Sequence, residues 1–191
     1  MTPPRCPDPG PLLNRGLAVF PLPPGAKAAP AGWQHTIITV GASALEAVRA
    51  SWPTMSNIGI ACRASGVIGI DLDRHTTGHG ANVGADGVDQ FAQICRWHRR
   101  RWPHTLEVAT PNDGRHLLFR VPPGVVVESV SGGTSRLGPG IDIRGTGYRL
   151  GGYLAGPGSV VGGREYTIAV DTDIAMLPDW LVALIGKRDR R

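Results

Sequence analysis

No stretch of this chain carries the roughly 18 to 20 consecutive apolar residues that a membrane-spanning helix needs. The opening Met1-Thr2-Pro3-Pro4-Arg5-Cys6-Pro7 lacks the apolar centre of a secretory signal. A cytoplasmic protein without membrane contact is the default expectation. Cysteine is scarce: Cys6, Cys62 and Cys95 are far apart and make no Cys-x-x-Cys pair. No His-x₃₋₅-His completes a zinc pattern with them, so no structural zinc is expected. Cys62 and Cys95 read instead as small apolar core residues. Aromatic residues are only 6% of the chain, which counts against a broad base-stacking platform. Two familiar nucleotide loops are also missing. There is no Gly-x₄-Gly-Lys-Ser/Thr, and no Gly-x-Gly-x-x-Gly follows a strand and opens a helix.

Glycine and proline are abundant, at 27 and 17 residues, so many turns and short elements are expected. A hydrophobic fraction of 41% over 191 residues suits one folded domain with a substantial core. The net charge of +5 and a pI of about 9.6 favour an anionic partner without identifying one. Arg96, Arg99, Arg100 and Arg101 cluster near the end of one predicted helix, and Lys187, Arg188, Arg190 and Arg191 close the chain. Both clusters suit a phosphate backbone. A solvated helix face is the commoner explanation of the first, and a soluble tail of the second.

Four prolines before position 10, without periodicity, make residues 1–14 read as a flexible leader. Residues 16–21 read as a short buried strand stopped by Pro21, and the loop 23–30 follows with Lys27 as its only charge. Ser43-Ala44-Leu45-Glu46 is a capping-box pattern, and Leu45, Val48 and Trp52 then recur at helical spacing. Residues 57–62 and 67–73 read as a strand pair joined by Arg63-Ala64-Ser65-Gly66. Val88, Phe91, Ala92 and Cys95 mark a second helix. Three further strands are expected over 105–110, 116–121 and 124–130. The stretch 132–163 holds twelve of the 27 glycines, which tight β-turns mostly explain. A last helix over 177–186 is stopped by Gly186. His75, His79, His98 and His104 lack a partner pattern and read as surface or loop residues. Helices this few and irregular argue for an α+β fold rather than a doubly wound sheet.

The chemistry concentrates in Val67-Ile68-Gly69-Ile70-Asp71-Leu72-Asp73. On a strand, residues i and i+2 project from one face, so Asp71 and Asp73 aim two carboxylates together. Like charges among apolar neighbours are costly unless compensated, and divalent cations, which favour carboxylate oxygens, are one compensation. The plainer explanation is a strand end opening into a turn. Asp142, between Ile141 and Ile143, is a third acid alternating with apolar residues, as a two-cation site requires. His116, beside Gly114 and Arg115 at the mouth of an apolar strand, is placed to donate to a triphosphate. Gly114 would let backbone approach closely. Lys27 and Arg144 are the other candidates for phosphate contacts.

The ordered series of segments resembles the N-terminal domain of bifunctional DNA primase/polymerases, the prim-pol branch of the archaeo-eukaryotic primase superfamily. The matching segments are residues 16–21, Lys27 with Gly32-Trp33, Trp52 followed by Asn57-Ile58-Gly59-Ile60, and 70–73. They continue with 110–119, 140–145, 153–159 and Leu177-Pro178-Asp179-Trp180-Leu181. The resemblance implies a prim-pol domain over 15–186, between the leader 1–14 and a basic tail 187–191. It implies an RRM-like antiparallel sheet as catalytic core, combined with an N-terminal α/β unit. It also implies a template-directed nucleotidyltransferase acting in DNA replication, with a DNA template or primer and dNTP or NTP substrates. A phage, plasmid or other mobile element is the implied setting, and any helicase partner would be a separate polypeptide. Asp71, Asp73 and Asp142 match the family's acids, which hold two Mg²⁺ or Mn²⁺ ions, and His116 matches its nucleotide-phosphate histidine. Asp113 stands where a small residue is usual, and Gly156-Pro157-Gly158-Ser159 replaces Ala-Pro-Pro-Ser. Two alternatives stay open: a non-catalytic single-stranded nucleic-acid-binding domain, and a metal-dependent nuclease.

Overall fold

Period-two burial organises the centre of the molecule. The computed structural model describes residues 6–39, 44–74, 84–132, 134–147 and 151–188. Along these the chain forms α1 (Gly10–Asn14), β1 (Val19–Leu22), a 3-10 turn (Trp33–Thr36), α2 (Leu45–Ser51), β2 (Asn57–Ala61) and α3 (Cys62–Ser65). It continues through β3 (Val67–Leu72), α4 (Gly87–Trp97), β4 (Glu107–Ala109), β5 (Arg115–Arg120), β6 (Val125–Val127) and β7 (Ile141–Arg144). The last elements are β8 (Tyr153–Ala155), β9 (Val160–Val161), β10 (Arg164–Glu165), β11 (Thr167–Val170), α5 (Asp179–Ile185) and β12 (Gly186–Arg188). This is an α+β arrangement built on antiparallel sheets.

The main sheet has the order β11-β4-β5-β3-β7, every neighbour antiparallel. Strand β4 therefore runs parallel to β3 with β5 inserted between them, a split β-α-β unit whose connection carries α4. Side chains of one parity, Ile68, Ile70, Leu72, Leu117, Phe119, Ile141 and Ile143, form a core with Phe91 and Cys95 of α4 and Leu181 of α5. The other parity, including Val67, Leu118 and Val108, packs against a smaller sheet of order β1-β2-β8. The central sheet is thus helix-covered on one face and sheet-covered on the other. Helix α4 is started by Asp86, whose carboxylate accepts from the Asp89 N–H at 2.9 Å, a cap worth about 1 kcal/mol.

Gly69 is where the two sheets come closest. A Cβ there would overlap the Leu154 side chain of β8, so only glycine permits this separation. Phe20 lies across from Gly59 in the β1–β2 ladder and stacks on Trp33, with ring centroids 4.3 Å apart. Asn57 ties the small sheet to its loops: its amide donates to the carbonyls of Ala26 at 2.9 Å and Val160 at 2.8 Å.

Several elements differ from their sequence reading. The segments 57–62 and 67–73 are not partners; β2 joins the small sheet and β3 the central one, because the turn of α3 lifts the chain from one layer to the other. Part of the expected leader is structured. Helix α1 inserts Leu12 and Leu13 into the core, an apolar pair that proline-rich flanks had masked. Lys187 and Arg188 are likewise not a tail, since β12 pairs with β6 and Lys187 bonds Glu128 at 2.6 Å. Helix α2 begins after Ala44, without a side-chain cap. Ser43, His75, His79, Arg190 and Arg191 lie outside the described residues.

Two measurements check this packing. Gly69→Val should destabilise the protein by about 1–3 kcal/mol, as overpacking of a filled core does; an unchanged urea midpoint would contradict the close approach at Leu154. Burial pushes the Cys62 thiol up to about 12 and that of Cys95 upward, whereas Cys6 is exposed. One thiol, Cys6, should therefore react with Ellman's reagent in the native state. Cys62 and Cys95 should react only on unfolding, and native-state reaction of more than one thiol would contradict their burial.

Candidate active site

Asp71 sits on the middle strand of three. In register it faces His116 of β5 on one side and Asp142 of β7 on the other. The alternation that buries Ile70 and Leu72 against the helices turns Asp71 to the opposite face, toward the small sheet. The same rule on β7 buries Ile141 and Ile143 and presents Asp142 and Arg144. On β5 it presents His116, which is only 4% exposed. Asp73 follows one step beyond the end of β3, its N–H donating to the Gly140 carbonyl at 2.8 Å. Hence the turn before β7 is tied to the chain after β3.

Charge is balanced tightly here. His116 Nε2 lies 3.3 Å from Asp71 Oδ1, yet not aligned for a good hydrogen bond, and Oδ1 is left without one. His116 Nδ1 is also buried and unbonded. The Arg144 guanidinium reaches two acids through a single nitrogen, at 2.9 Å from Asp142 Oδ2 and 3.9 Å from Asp71 Oδ2. Asp142 also accepts from the Gly132 N–H at 3.1 Å. Burial alone would push the Asp71 carboxyl up. The charges of His116, Arg144 and Lys27 outweigh it and hold the group below the usual carboxylate range. Among the described residues no set of three carboxylate, imidazole or thiol groups is drawn into a ready metal shell. Arg144 supplies the compensating charge between Asp71 and Asp142 instead.

These groups open into a cavity of about 610 Å³ between the two sheets, lined by Asp71, Asp73, His116, Arg144 and Lys27 among others. The lysine loop is held in place where the Ala29 N–H donates to the Tyr153 hydroxyl at 2.8 Å. Three expected residues are not part of the lining: Asp142, whose carboxylate is engaged by Arg144 and the Gly132 N–H, and Arg115 and Gly114. Arg115 neighbours His116 in the chain, and alternation sends it to the other face, where it donates to the Gly114 carbonyl at 2.9 Å. Gly114 is needed by the protein's own backbone: a Cβ there would strike the Leu72 carbonyl. Neither lines the cavity.

The model of the family described as "Bifunctional DNA primase/polymerase, N-terminal" matches residues 11–180, most of the chain. The chain belongs to this prim-pol family. A comparison with curated proteins finds no match. Family membership implies a nucleotidyltransferase of the DNA primase/polymerase type, with DNA and nucleotides as substrates.

In this prim-pol domain the two departures from the family pattern have local explanations. Asp113 adopts φ +61°, a conformation that favours glycine, and its carboxylate meets Arg164 at 3.4 Å, so its charge has a partner. Gly158 has φ +88°, which a proline could not adopt. The turn is secured instead by Ser159, whose hydroxyl accepts from the Ile58 N–H at 2.9 Å.

Sequence reasoning missed Tyr166, Arg164 and Ser129, which also line the cavity. The Tyr166 ring lies 5.6 Å from that of His116. Burial first, then the nearby charges of Asp71 and Asp73, push its phenol up to about 12, so it stays a proton donor. No local pattern marks it, because it stands just before the edge strand β11 and far along the chain from both acids.

The charge balance predicts a particular non-additivity. Arg144→Met should destabilise the domain by leaving Asp71 and Asp142 to repel each other. Adding Asp142→Asn should then restore part of the loss, with a coupling of about 0.5–2 kcal/mol in urea unfolding with chelator present. Simple additivity of the two substitutions would exclude this role for the guanidinium.

Proposed function

We propose that this chain is a template-directed DNA primase/polymerase that adds dNTPs or NTPs to a primer or initiating nucleotide. The observation that carries the reading is Asp71, flanked in register by Asp142 and His116 and open to a cavity with three cationic side chains, Lys27, Arg144 and Arg164, on its walls. The strand order and the split β-α-β unit support taking the five-stranded sheet as the RRM-like core of the family. Among the described residues the connection from β5 to β7 carries β6 in place of a second helix. A role in DNA replication, in a phage, plasmid or other mobile element, belongs to the same reading and rests on the family alone.

The donor set fits hard divalent cations: three carboxylates, of which Asp71 leaves Oδ1 without a hydrogen bond. Asp71, Asp73 and Asp142 would hold Mg²⁺ or Mn²⁺, which when bound lowers the pKa of an attacking hydroxyl and neutralises triphosphate charge. The chain's own contribution is positioning. His116 and Lys27 supply donors to phosphate oxygens, and Arg144, released from the acids, supplies a planar fork suited to them. Tyr166, kept protonated, lines the cavity beside His116 and adds a hydroxyl donor to its wall. The cavity volume lies in the range of small-ligand sites, and its two walls exclude water from much of a bound nucleotide.

Labelled dNTPs with a primed template test this directly. Asp71→Asn with Asp73→Asn should reduce incorporation by at least about 100-fold while circular dichroism and thermal unfolding report a folded domain. Undiminished primer extension by the double variant would reject the site. Shortening of the primer by the unaltered protein would indicate a nuclease instead.

A further inference from the structure

A basic surface around an exposed tryptophan lies at the far end of α4. This helix begins beside Asp73, where the Gly87 N–H donates to the Asp73 carbonyl at 2.8 Å. Its eleven residues carry the chain about 15 Å away. At the far end Trp97 is 88% exposed, an unusual state for the largest apolar side chain. Arg96, His98, Arg99, Arg100, Arg101 and, from the loop before β7, Arg136 are all exposed around it. Among the described residues none of these five arginines forms an ion pair.

The helix ends in a Schellman turn: the Arg100 N–H donates to the Cys95 carbonyl at 2.8 Å and the Arg99 N–H to the Arg96 carbonyl at 2.9 Å. Arg99 occupies the left-handed position of that turn, with φ +52°, where glycine is strongly favoured. One or two cations would satisfy the negative end of a helix dipole. Five, with an arginine accepted at a glycine position and a solvent-exposed tryptophan among them, exceed that need. Beside Trp97 is a hollow of about 300 Å³, lined also by Gln90, Gln93, His98 and Leu184, large enough for a nucleobase. The two glutamine amides offer donors and acceptors to a base edge.

We propose that Trp97 and its arginines form a binding surface for single-stranded DNA, with the unpaired template as occupant. A base stacks on the indole while Arg96, Arg99, Arg100, Arg101 and Arg136 follow the phosphates. The surface lies about one helix length from Asp73, at the other end of α4. The proposal takes DNA as substrate from the family and does not depend on the catalytic roles assigned above.

Fluorescence anisotropy with a labelled 20-nucleotide oligo(dT), at several salt concentrations and with the whole chain, tests it. Trp97→Ala should weaken binding about 5- to 100-fold, and Trp97→Phe should recover most of it. Changing Arg99, Arg100 and Arg101 to Gln should flatten the slope of log K against log salt by about 2. Thermal unfolding should stay as in the parent, because all four side chains are exposed. Parent-like binding by both variants would overturn the proposal. So would an equal loss with duplex of the same length, or a loss in Trp97→Ala that Phe does not restore. Asp71→Asn separates the two readings. Lost incorporation with retained oligo(dT) binding supports both, and retained incorporation would remove the catalytic assignment alone.

Discussion

Two carboxylates on adjacent strands, Asp71 and Asp142, face each other with little solvent between the layers. Their mutual repulsion is the constraint around which the rest of the site is arranged. His116 approaches Asp71 from the opposite strand, Arg144 bridges to both acids, and Lys27 contributes from a loop pinned by Tyr153. Removing Arg144, which alone reaches both acids, would leave the pair least compensated in a poorly solvated place. A site so balanced is well suited to exchange one set of cations for another when a charged substrate arrives.

The two-layer construction makes this possible. Strands β3, β5 and β7 of the central sheet devote one parity to the helices, where Ile68, Ile70, Phe91 and Leu181 form a dry core that fixes strand positions. The opposite parity is apolar at Val67, small at Gly69 and acidic at Asp71, so the gap between sheets widens along β3. Leu154 seated on Gly69 closes the narrow end, and the polar groups collect where the sheets part. Rigid packing on one side thus supports a chemically costly arrangement on the other.

Family match and cavity occupy the same part of the chain. The prim-pol match covers residues 11–180, a span that includes every cavity-lining side chain discussed. Its departures are absorbed locally: Asp113 by Arg164, and Gly158 by a backbone conformation held through Ser159. The basic end of α4 lies outside this balance, which is why its unpaired arginines and exposed Trp97 call for a separate occupant.

Alternation along 67–73 and 140–144, read without coordinates, already placed Asp71 and Asp142 on strand faces opposite to their isoleucine neighbours. That is a local rule, since a side chain's face depends only on its position in the strand. By the same rule Arg115 faces away from His116, although the two are adjacent in the chain. The α+β class and the strands on either side of α4 were legible for similar local reasons. Which strands become neighbours was not. The separation of β2 from β3, the insertion of β5 between β3 and β4, and the meeting of Tyr166 with His116 depend on contacts between residues far apart in the chain. Those are decided by how whole apolar faces fit together. The amino-acid order therefore determined which side chains turn inward at each strand, while only the assembled layers decided that Asp71, Asp73, the histidine and the cations share one cavity, with Asp142 alongside.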